Sequence, residues 1–486
     1  MRLPGSTTTP AEHGLAERLA ASGLVRDGST ADALRWFEDL RSRSYTEVEQ
    51  VALEDLVGWS THPVTGDIVH DSGRFFVVEG LDVRIPGGPV PHWRQPIINQ
   101  PEIGVLGILA KEFDGVLHLL MQAKVEPGNC NGLQLSPTVQ ATRSNYTGAH
   151  RGRGVPYLDY FMDTAPHSVL ADVRQSEQGS WFHQKRNRNM VVEVRGDVPV
   201  LDGFRWFTLG QVHELLAADD LVNMDARTVL SCLPFTGRGV RRSIAAGDDW
   251  FRDALLRSCV AEEGSRHPDD EVLSWITQAR SATDVHTRRI PLSDVDGWVR
   301  VDGRIRHETG RFFDVMGVRV VARGREVDSW TQPMIEAPGE GVVAFVVRRI
   351  GGVLHALMHG RVEPGYIDVV ELAPTVQCKP ENYSVLDPRA RPPFLDLVLA
   401  AAPDRIRFDA VLSEEGGRFY RTRNRYLVVE VDPAEELAHP DFRWVTLDQL
   451  AGLLRHSHYL NVQARSLVAC LHSLVCAPIP APEART

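Results

Sequence analysis

Residues 93–146 recur at 330–383 in the same order and at a constant spacing of 237 positions. Both segments carry Gln-Pro after a Trp (Trp93 and Trp330), then Gly-Val-Leu-His-x-Leu-Met at 115–121 and 352–358. Both continue with Val-Glu-Pro-Gly at 125–128 and 362–365, Pro-Thr-Val-Gln at 137–140 and 374–377, and Asn-Tyr at 145–146 and 382–383. There are 24 identities in 54 gapless positions, far beyond chance. A chain duplicated in this way folds as two like units. Identities then mark shared scaffold, and differences mark where the copies have parted.

The repeat extends in both directions. Gly58-Trp59 matches Gly297-Trp298, Arg186-Asn187-Arg188 matches Arg423-Asn424-Arg425, and Asn223 and Arg227 match Asn461 and Arg465. The expected division is an N-terminal helical arm at 1–29, a first lobe at 30–240, a linker at 241–267 and a second lobe at 268–486. The linker holds an amphipathic helix over 249–257.

Within the first lobe, β-branched and apolar runs predict strands at 75–78, 104–111, 116–124, 181–185 and 190–194. Glu112-Phe113-Asp114-Gly115 and Arg349-Ile350-Gly351-Gly352 read as hairpin turns with Gly where positive φ is needed. Helices are expected at 30–43, 209–216 and 225–233, the last capped by Asp225. The fold class is therefore α+β, as two tandem lobes with mixed, antiparallel-dominated sheets.

Bulk properties remove several function classes. A net charge of −11 opposes nucleic-acid binding, which needs a basic face. The six cysteines show no Cys-x-x-Cys spacing, so reduced thiols in a cytoplasmic protein are expected. No signal pattern and no membrane-length apolar run is present. Gly-x-Gly-x-x-Gly, a Walker A loop and Gly-x-Ser-x-Gly are all missing, and the histidines are scattered. Neither a cofactor nor a metal is indicated.

Three features carry candidate chemistry. Pro137 to Tyr146 is a loop dense in hydrogen-bonding groups, which suits either a polar ligand or a shared structural turn. Its later portion differs between copies, Thr142-Arg143-Ser144 against Lys379-Pro380-Glu381, and that triplet is read as ligand contact. Trp59 and Trp298 either stack on a flat ring or pack in the core. Lys124 and Arg361 either bind an anion or pair with Glu126 and Glu363. Glu126 and Glu363, inside identical motifs, are read as structural, as is Arg186-Asn187-Arg188.

The run Gln134-Leu-Ser-Pro-Thr-Val-Gln-Ala-Thr-Arg-Ser-Asn-Tyr-Thr147 and its partner Glu371-Leu-Ala-Pro-Thr-Val-Gln-Cys-Lys-Pro-Glu-Asn-Tyr383 resemble the signature of the NDP-hexose 2,3-dehydratases. The resemblance covers almost the whole chain, duplication included. It implies two Nudix-like modules and a homodimer, although neither lobe has the acidic Nudix box that holds a divalent metal. It implies dTDP-4-keto-6-deoxy-glucose as substrate, no cofactor, and a downstream 3-ketoreductase that consumes the unstable product. Removal of H3 beside the C4 ketone, then loss of the C2 hydroxyl, gives a 3,4-diketo sugar.

Carried over by position, the family's contacts fall in lobe one on Trp59, Thr142, Arg143, Ser144, Asn145, Tyr146 and a Ser at Ser176 or Ser180. In lobe two they fall on Trp298, Arg361, Gln377, Cys378, Lys379, Asn382, Tyr383 and the loop Glu415-Gly416-Gly417-Arg418. Lobe one is expected to be catalytic, with Lys124 and Tyr146 as acid and base. Two other readings stay open, a metal-dependent nucleotide-sugar hydrolase and a non-catalytic nucleotide-sugar binder.

Overall fold

A computed structural model describes residues 10–26, 30–43, 45–143, 154–322 and 329–477. Each half is built on a seven-stranded mixed sheet. In the first half the strands run in the order Ser168–Ser176, Arg186–Glu193, Gly104–Phe113, Val116–Val125, Phe204–Thr208. Two short strands, Leu133–Ser136 and Val139–Ala141, complete it by pairing with Val116–Val125 and Gly104–Phe113. The second half repeats this around Gly341–Ile350 and Val353–Val362. Pairing is antiparallel except for one parallel pair in each sheet, Arg186–Glu193 on Gly104–Phe113 and Arg423–Glu430 on Gly341–Ile350.

The two expected hairpins form. Asp114 and Gly115 have φ of 49° and 82°, and Gly351 and Gly352 have 59° and 86°. Two left-handed residues in a two-residue loop match the right-handed twist of the flanking strands.

The smaller, five-stranded sheets depart from a simple tandem arrangement, because each half completes the other's. The first-half sheet contains Trp59–Thr61, Ile68–His70, Val77–Arg84 and His92–Asn99, and takes its fifth strand, His286–Ile290, from the second half. Reciprocally, Thr46–Val51 pairs antiparallel with Asp314–Ala322, with Thr46 opposite Ala322 and Val51 opposite Gly317. The lobes marked off along the chain are thus interlocked in space.

Between the large sheets the helices form a common core. Leu19, Val212, Leu215, Leu255, Leu450 and Leu467 are all buried in one cluster drawn from both halves. At its centre Arg227 and Arg465 are fully buried. Arg227 donates to the carbonyls of Val222 and Ser413, both at 2.7 Å, and Arg465 donates to those of Leu460, at 2.7 Å, and Ser176, at 2.5 Å. Each guanidinium therefore bonds to the half it does not belong to. Buried charges persist only when hydrogen-bonded in this way.

Several local expectations need correction. The cap of helix Met224–Ser231 is Asn223, whose side chain accepts from the Ala226 N–H at 2.8 Å, and Asp225 lies inside the first turn. Residues 181–185 form no strand, because Gln184 has φ of 49° and the segment turns away toward the other half. The strand expected at 75–78 spans Val77–Arg84, since Phe75 has φ of 75°. Strand Ser168–Ser176 went unrecognised. No helix among the described residues is long and apolar enough to cross a membrane.

Candidate active site

The Val-Glu-Pro-Gly motif shared by both halves is a docking point for a loop from the other. Gly128 N–H donates to the Gly416 carbonyl at 2.7 Å, and the Arg421 N–H donates back to the Gly128 carbonyl at 2.8 Å. Gly365 N–H donates to Gly179 at 2.7 Å, and Gln184 N–H returns to Gly365 at 2.9 Å. A Cβ at Gly128 would lie 1.9 Å from the Phe419 carbonyl oxygen, and one at Gly365 would lie 1.8 Å from that of Phe182. Only glycine admits so close a backbone approach. The loop after strand Ser168–Ser176 therefore reaches the second half, and the loop after Ile406–Ser413 reaches the first.

Two cavities result, each composite. The first, of about 500 Å³, is walled by first-half residues including Trp59, Lys124, Glu126, Thr142, Glu177 and Asp225. Lys185, Gln140 and Asn187 also face it, and Gln332, Glu415, Gly417 and Arg418 come from the second half. The second, of about 460 Å³, is walled by Trp298, Arg361, Gln377, Cys378, Lys379, Asn382 and Tyr383, with Gln178, Ser180 and Trp181 contributed by the first half. Both volumes suit a small-molecule ligand.

The crossing loops redistribute the expected contacts. Glu415, Gly417 and Arg418 belong to the first cavity rather than the second, and Ser180 to the second rather than the first. Ser176 lines neither cavity, and its buried hydroxyl donates to Glu371 Oε2 at 2.6 Å. Gly416 lines neither, being taken up by the backbone contact to Gly128. Arg143 is exposed and lines neither. Ser144, Asn145 and Tyr146 lie outside the described residues.

The two tryptophans serve both readings of them, since each lines its cavity while its indole N–H ties the halves together. Trp59 Nε1 donates to the Thr331 carbonyl at 2.9 Å and Trp298 Nε1 to that of Arg94 at 3.1 Å. Arg361 pairs with Glu363 at 2.9 Å, whereas Lys124 lies 3.8 Å from Glu126. Glu126, Glu363 and Asn187, read from sequence as structural, all face a cavity.

Polar chemistry separates the cavities. In the second half the buried Glu414 accepts from Asn424 Nδ2 at 2.5 Å, Tyr426 OH at 2.8 Å, Gln463 Nε2 at 3.4 Å and Gln178 Nε2. Four donors hold one carboxylate. Its counterpart Glu177 accepts from Asn187 Nδ2 at 2.7 Å, but its Oε2 has no hydrogen-bond partner among the described residues. In place of Gln463 and Gln178 stand Asp225 and Glu415. Asp225 Oδ1 and Glu415 Oε2 likewise lack a hydrogen-bond partner among the described residues.

Burial raises Glu177, and burial followed by the neighbouring Glu177 and Glu415 raises Asp225 well above the usual carboxylate range. Glu415 is pushed up to about 7, by burial first, with Arg418 opposing. Close carboxyls in a desolvated site retain protons in this way.

The lysines show a reciprocal exchange. Lys185 Nζ donates to the Glu102 carbonyl, and burial lowers it to about 8. In the second half Thr422 occupies that position, and Lys379 reaches the equivalent loop from the other side, donating to the carbonyls of Ala337, Pro338 and Gly339. The Thr142/Lys379 difference thus relocates an ammonium that anchors the same loop.

Sequence reading passed over Glu177, Lys185, Asn187 and Asp225. For Asp225 and Lys185 the available signal was the difference between copies, Asp225 against Gln463 and Lys185 against Thr422, whereas Glu177 and Asn187 are the same in both.

The family profile described as NDP-hexose 2,3-dehydratase matches residues 30–233 and again 269–471. Similar proteins include a dTDP-4-dehydro-6-deoxy-alpha-D-glucopyranose 2,3-dehydratase of Saccharopolyspora spinosa, 53% identical over 94% of this chain and 93% of the relative. Equally named proteins of Amycolatopsis orientalis and Streptomyces violaceoruber are 50% and 48% identical, covering 96% and 93% of this chain and 96% and 98% of their own lengths. With both copies matched and relatives of this similarity along nearly the whole length, the chain belongs to the NDP-hexose 2,3-dehydratase family.

Proposed function

We propose that the protein is a hydro-lyase that removes the C2 hydroxyl of dTDP-4-keto-6-deoxy-glucose, and that the first cavity is where it does so. The observation that carries the choice of cavity is its chemistry. Lys124, Lys185 and Arg418 face it together with Glu126, Glu177, Asp225 and Glu415, while the second cavity has amides at the last two positions. An elimination beside a ketone needs a proton acceptor, a proton donor and an electrophile for the enolate, all in one place.

In this reading the Arg418 cation favours the diphosphate end of the ligand. Lys124, read from sequence together with Tyr146 as acid and base, is here given the role of donor to the C4 oxygen as it becomes an enolate. Such oxyanion donors contribute about 10²–10³-fold each. Trp59 and Thr142 bound the same space. The second cavity, with Trp298, Arg361, Gln377, Cys378, Lys379, Asn382 and Tyr383, is read as a nucleotide-sugar site without turnover. Its Lys379 and Arg361 are already committed to carbonyls and to Glu363.

The reading also includes Nudix-like modules, a cytoplasmic homodimer and a 3-ketoreductase that takes the product. The mixed sheets with one parallel pair per half are compatible with the first of these. The test is incubation with the 4-keto sugar while loss of the C2 oxygen is followed by NMR and mass spectrometry. Net loss of one water supports the reading, and an unchanged sugar overturns it.

A further inference from the structure

Resting on that reading, we propose that Asp225 and Glu415, supplied by opposite halves of the chain and backed by Glu177, carry the two protons of the elimination. Three observations converge. All three carboxyls line one cavity. Each presents an oxygen that lacks a hydrogen-bond partner among the described residues, and Asp225 and Glu177 are each only 4% exposed. Finally, the duplicated cavity supplies an internal reference. There, Gln178 and Gln463 donate to Glu414 and complete its shell. The first cavity replaces both neutral donors with groups that can donate only when protonated.

A scaffold role would favour the amides, because an unsatisfied buried carboxyl costs stability. The carboxyls are retained where a ligand's hydroxyl and C–H groups would meet them. Three like groups in one desolvated site cannot all be ionised, so the cluster holds protonated and ionised members side by side. An elimination requires that combination.

The roles divide by surroundings. Burial disfavours the charge on both, but Arg418, in the same loop, is the foremost charged neighbour of Glu415 and favours its ionised form against Glu126 and Glu177. At Asp225, by contrast, Glu177, Glu415 and Glu126 together outweigh Lys124 and keep the carboxyl protonated. Glu415 takes H3 as a proton, and the C3–H electron pair forms the C3–C4 double bond of the enolate. Collapse of the enolate restores the C4 ketone, forms the C2–C3 double bond and breaks C2–O, with the hydroxide leaving as water on receiving the Asp225 proton. The enol then gains a proton at C2 and loses one from O3, which returns both carboxyls to their starting state. One water is lost and no outside oxidant or reductant is needed.

The experiment compares Asp225→Asn and Glu415→Gln with the unsubstituted protein in D2O, following both loss of the C2 oxygen and exchange of H3. Both replacements are close in shape, and calorimetric titration with dTDP reports whether the cavity persists. Glu415→Gln is expected to abolish both signals. Asp225→Asn should keep H3 exchange while dehydration falls by about 10²–10⁴-fold. Dehydration by either variant within about threefold of the unsubstituted rate overturns the assignment. Should a variant fail to bind dTDP, the pH profile of the unsubstituted protein decides. The rate should rise with pH as Glu415 ionises near 7 and fall again as Asp225 loses its proton, and a flat profile overturns the proposal. No turnover by the unsubstituted protein removes the functional reading itself, an outcome distinct from active variants.

Discussion

The two cavities of this chain are copies that share a scaffold and differ in the groups they present. Both keep a cation and a glutamate around Val-Glu-Pro-Gly, a tryptophan whose N–H crosses to the other half, and a glutamine after Pro-Thr-Val. In the second, the buried carboxylates of Glu414 and Glu363 are surrounded by donors. In the first, acids stand at the two positions where the second has amides. On the proposed reading, the difference teaches that one duplicated scaffold can present amides at two positions of one cavity and carboxyls at the same positions of the other.

The most severe way to break this comparison is to separate the halves. Residues 1–240 expressed alone would lack strand His286–Ile290 as well as Glu415 and Arg418. Expected are no dehydration and no cooperative unfolding transition, with both restored on co-expression with 241–486. Calorimetry and a turnover assay read the outcome, and an active isolated half would contradict the interlocked fold.

A finer probe is the pair Gly128→Ala and Gly365→Ala. Each places a methyl within 2 Å of a carbonyl oxygen of the opposite loop. Overpacking of this kind costs about 1–3 kcal/mol, so similar drops in stability are expected from the two. Their effects on turnover should differ. Gly128→Ala displaces the loop bearing Glu415 and Arg418 and should lower kcat by about 10²-fold, as a misplacement near 1 Å does. Gly365→Ala displaces the loop bearing Gln178, Ser180 and Trp181 of the second cavity, whose flanking Glu177 and Lys185 reach the first, and should lower it less. Equal losses of kcat would mean that the loop carrying Glu177 and Lys185 matters to turnover as much as the loop carrying Glu415 and Arg418.

The smallest expected effect concerns stability against pH. Buried Glu371 is raised to about 8, by burial first, while its counterpart Gln134 accepts from Ser413 Oγ at 2.9 Å. Between about pH 5 and 8 the folded protein keeps a proton on Glu371 that the unfolded chain releases, so stability falls as pH rises through that window. Glu371→Gln should remove this slope, gaining on the order of 1 kcal/mol or more at the alkaline end. Parallel melting curves of the two proteins across that range would refute it.

Much of this was legible in the chain. The hairpins at Asp114-Gly115 and Gly351-Gly352 follow from turn chemistry, and helix Thr30–Arg43 from its periodicity. Trp59, Thr142, Lys124 and most of the residues named for the second lobe from the repeat and the family signature line the cavities. The strand exchange was not legible, for a physical reason. Thr46–Val51 and His286–Ile290 are equivalent edge strands with equivalent receiving edges, and either could satisfy its own half or the other. Sequence pattern records the need for a partner without naming which copy provides it. The misassigned loops at Ser180 and Glu415 have the same origin. Asp225 was passed over because it was read as a cap, the one role Asn223 had already filled.

The exchanged strands also set the order in which the protein can be made. Strand Val77–Arg84 waits for a partner that begins about two hundred residues later, Arg84 meeting His286 and Thr46 meeting Ala322. At about 5–20 residues per second a ribosome needs roughly 10–40 s to deliver it. Throughout that interval the nascent first half presents a bare sheet edge, and edges of this kind pair readily with other chains. Translation speed and chaperone access, rather than final stability, are then expected to govern the yield of soluble protein.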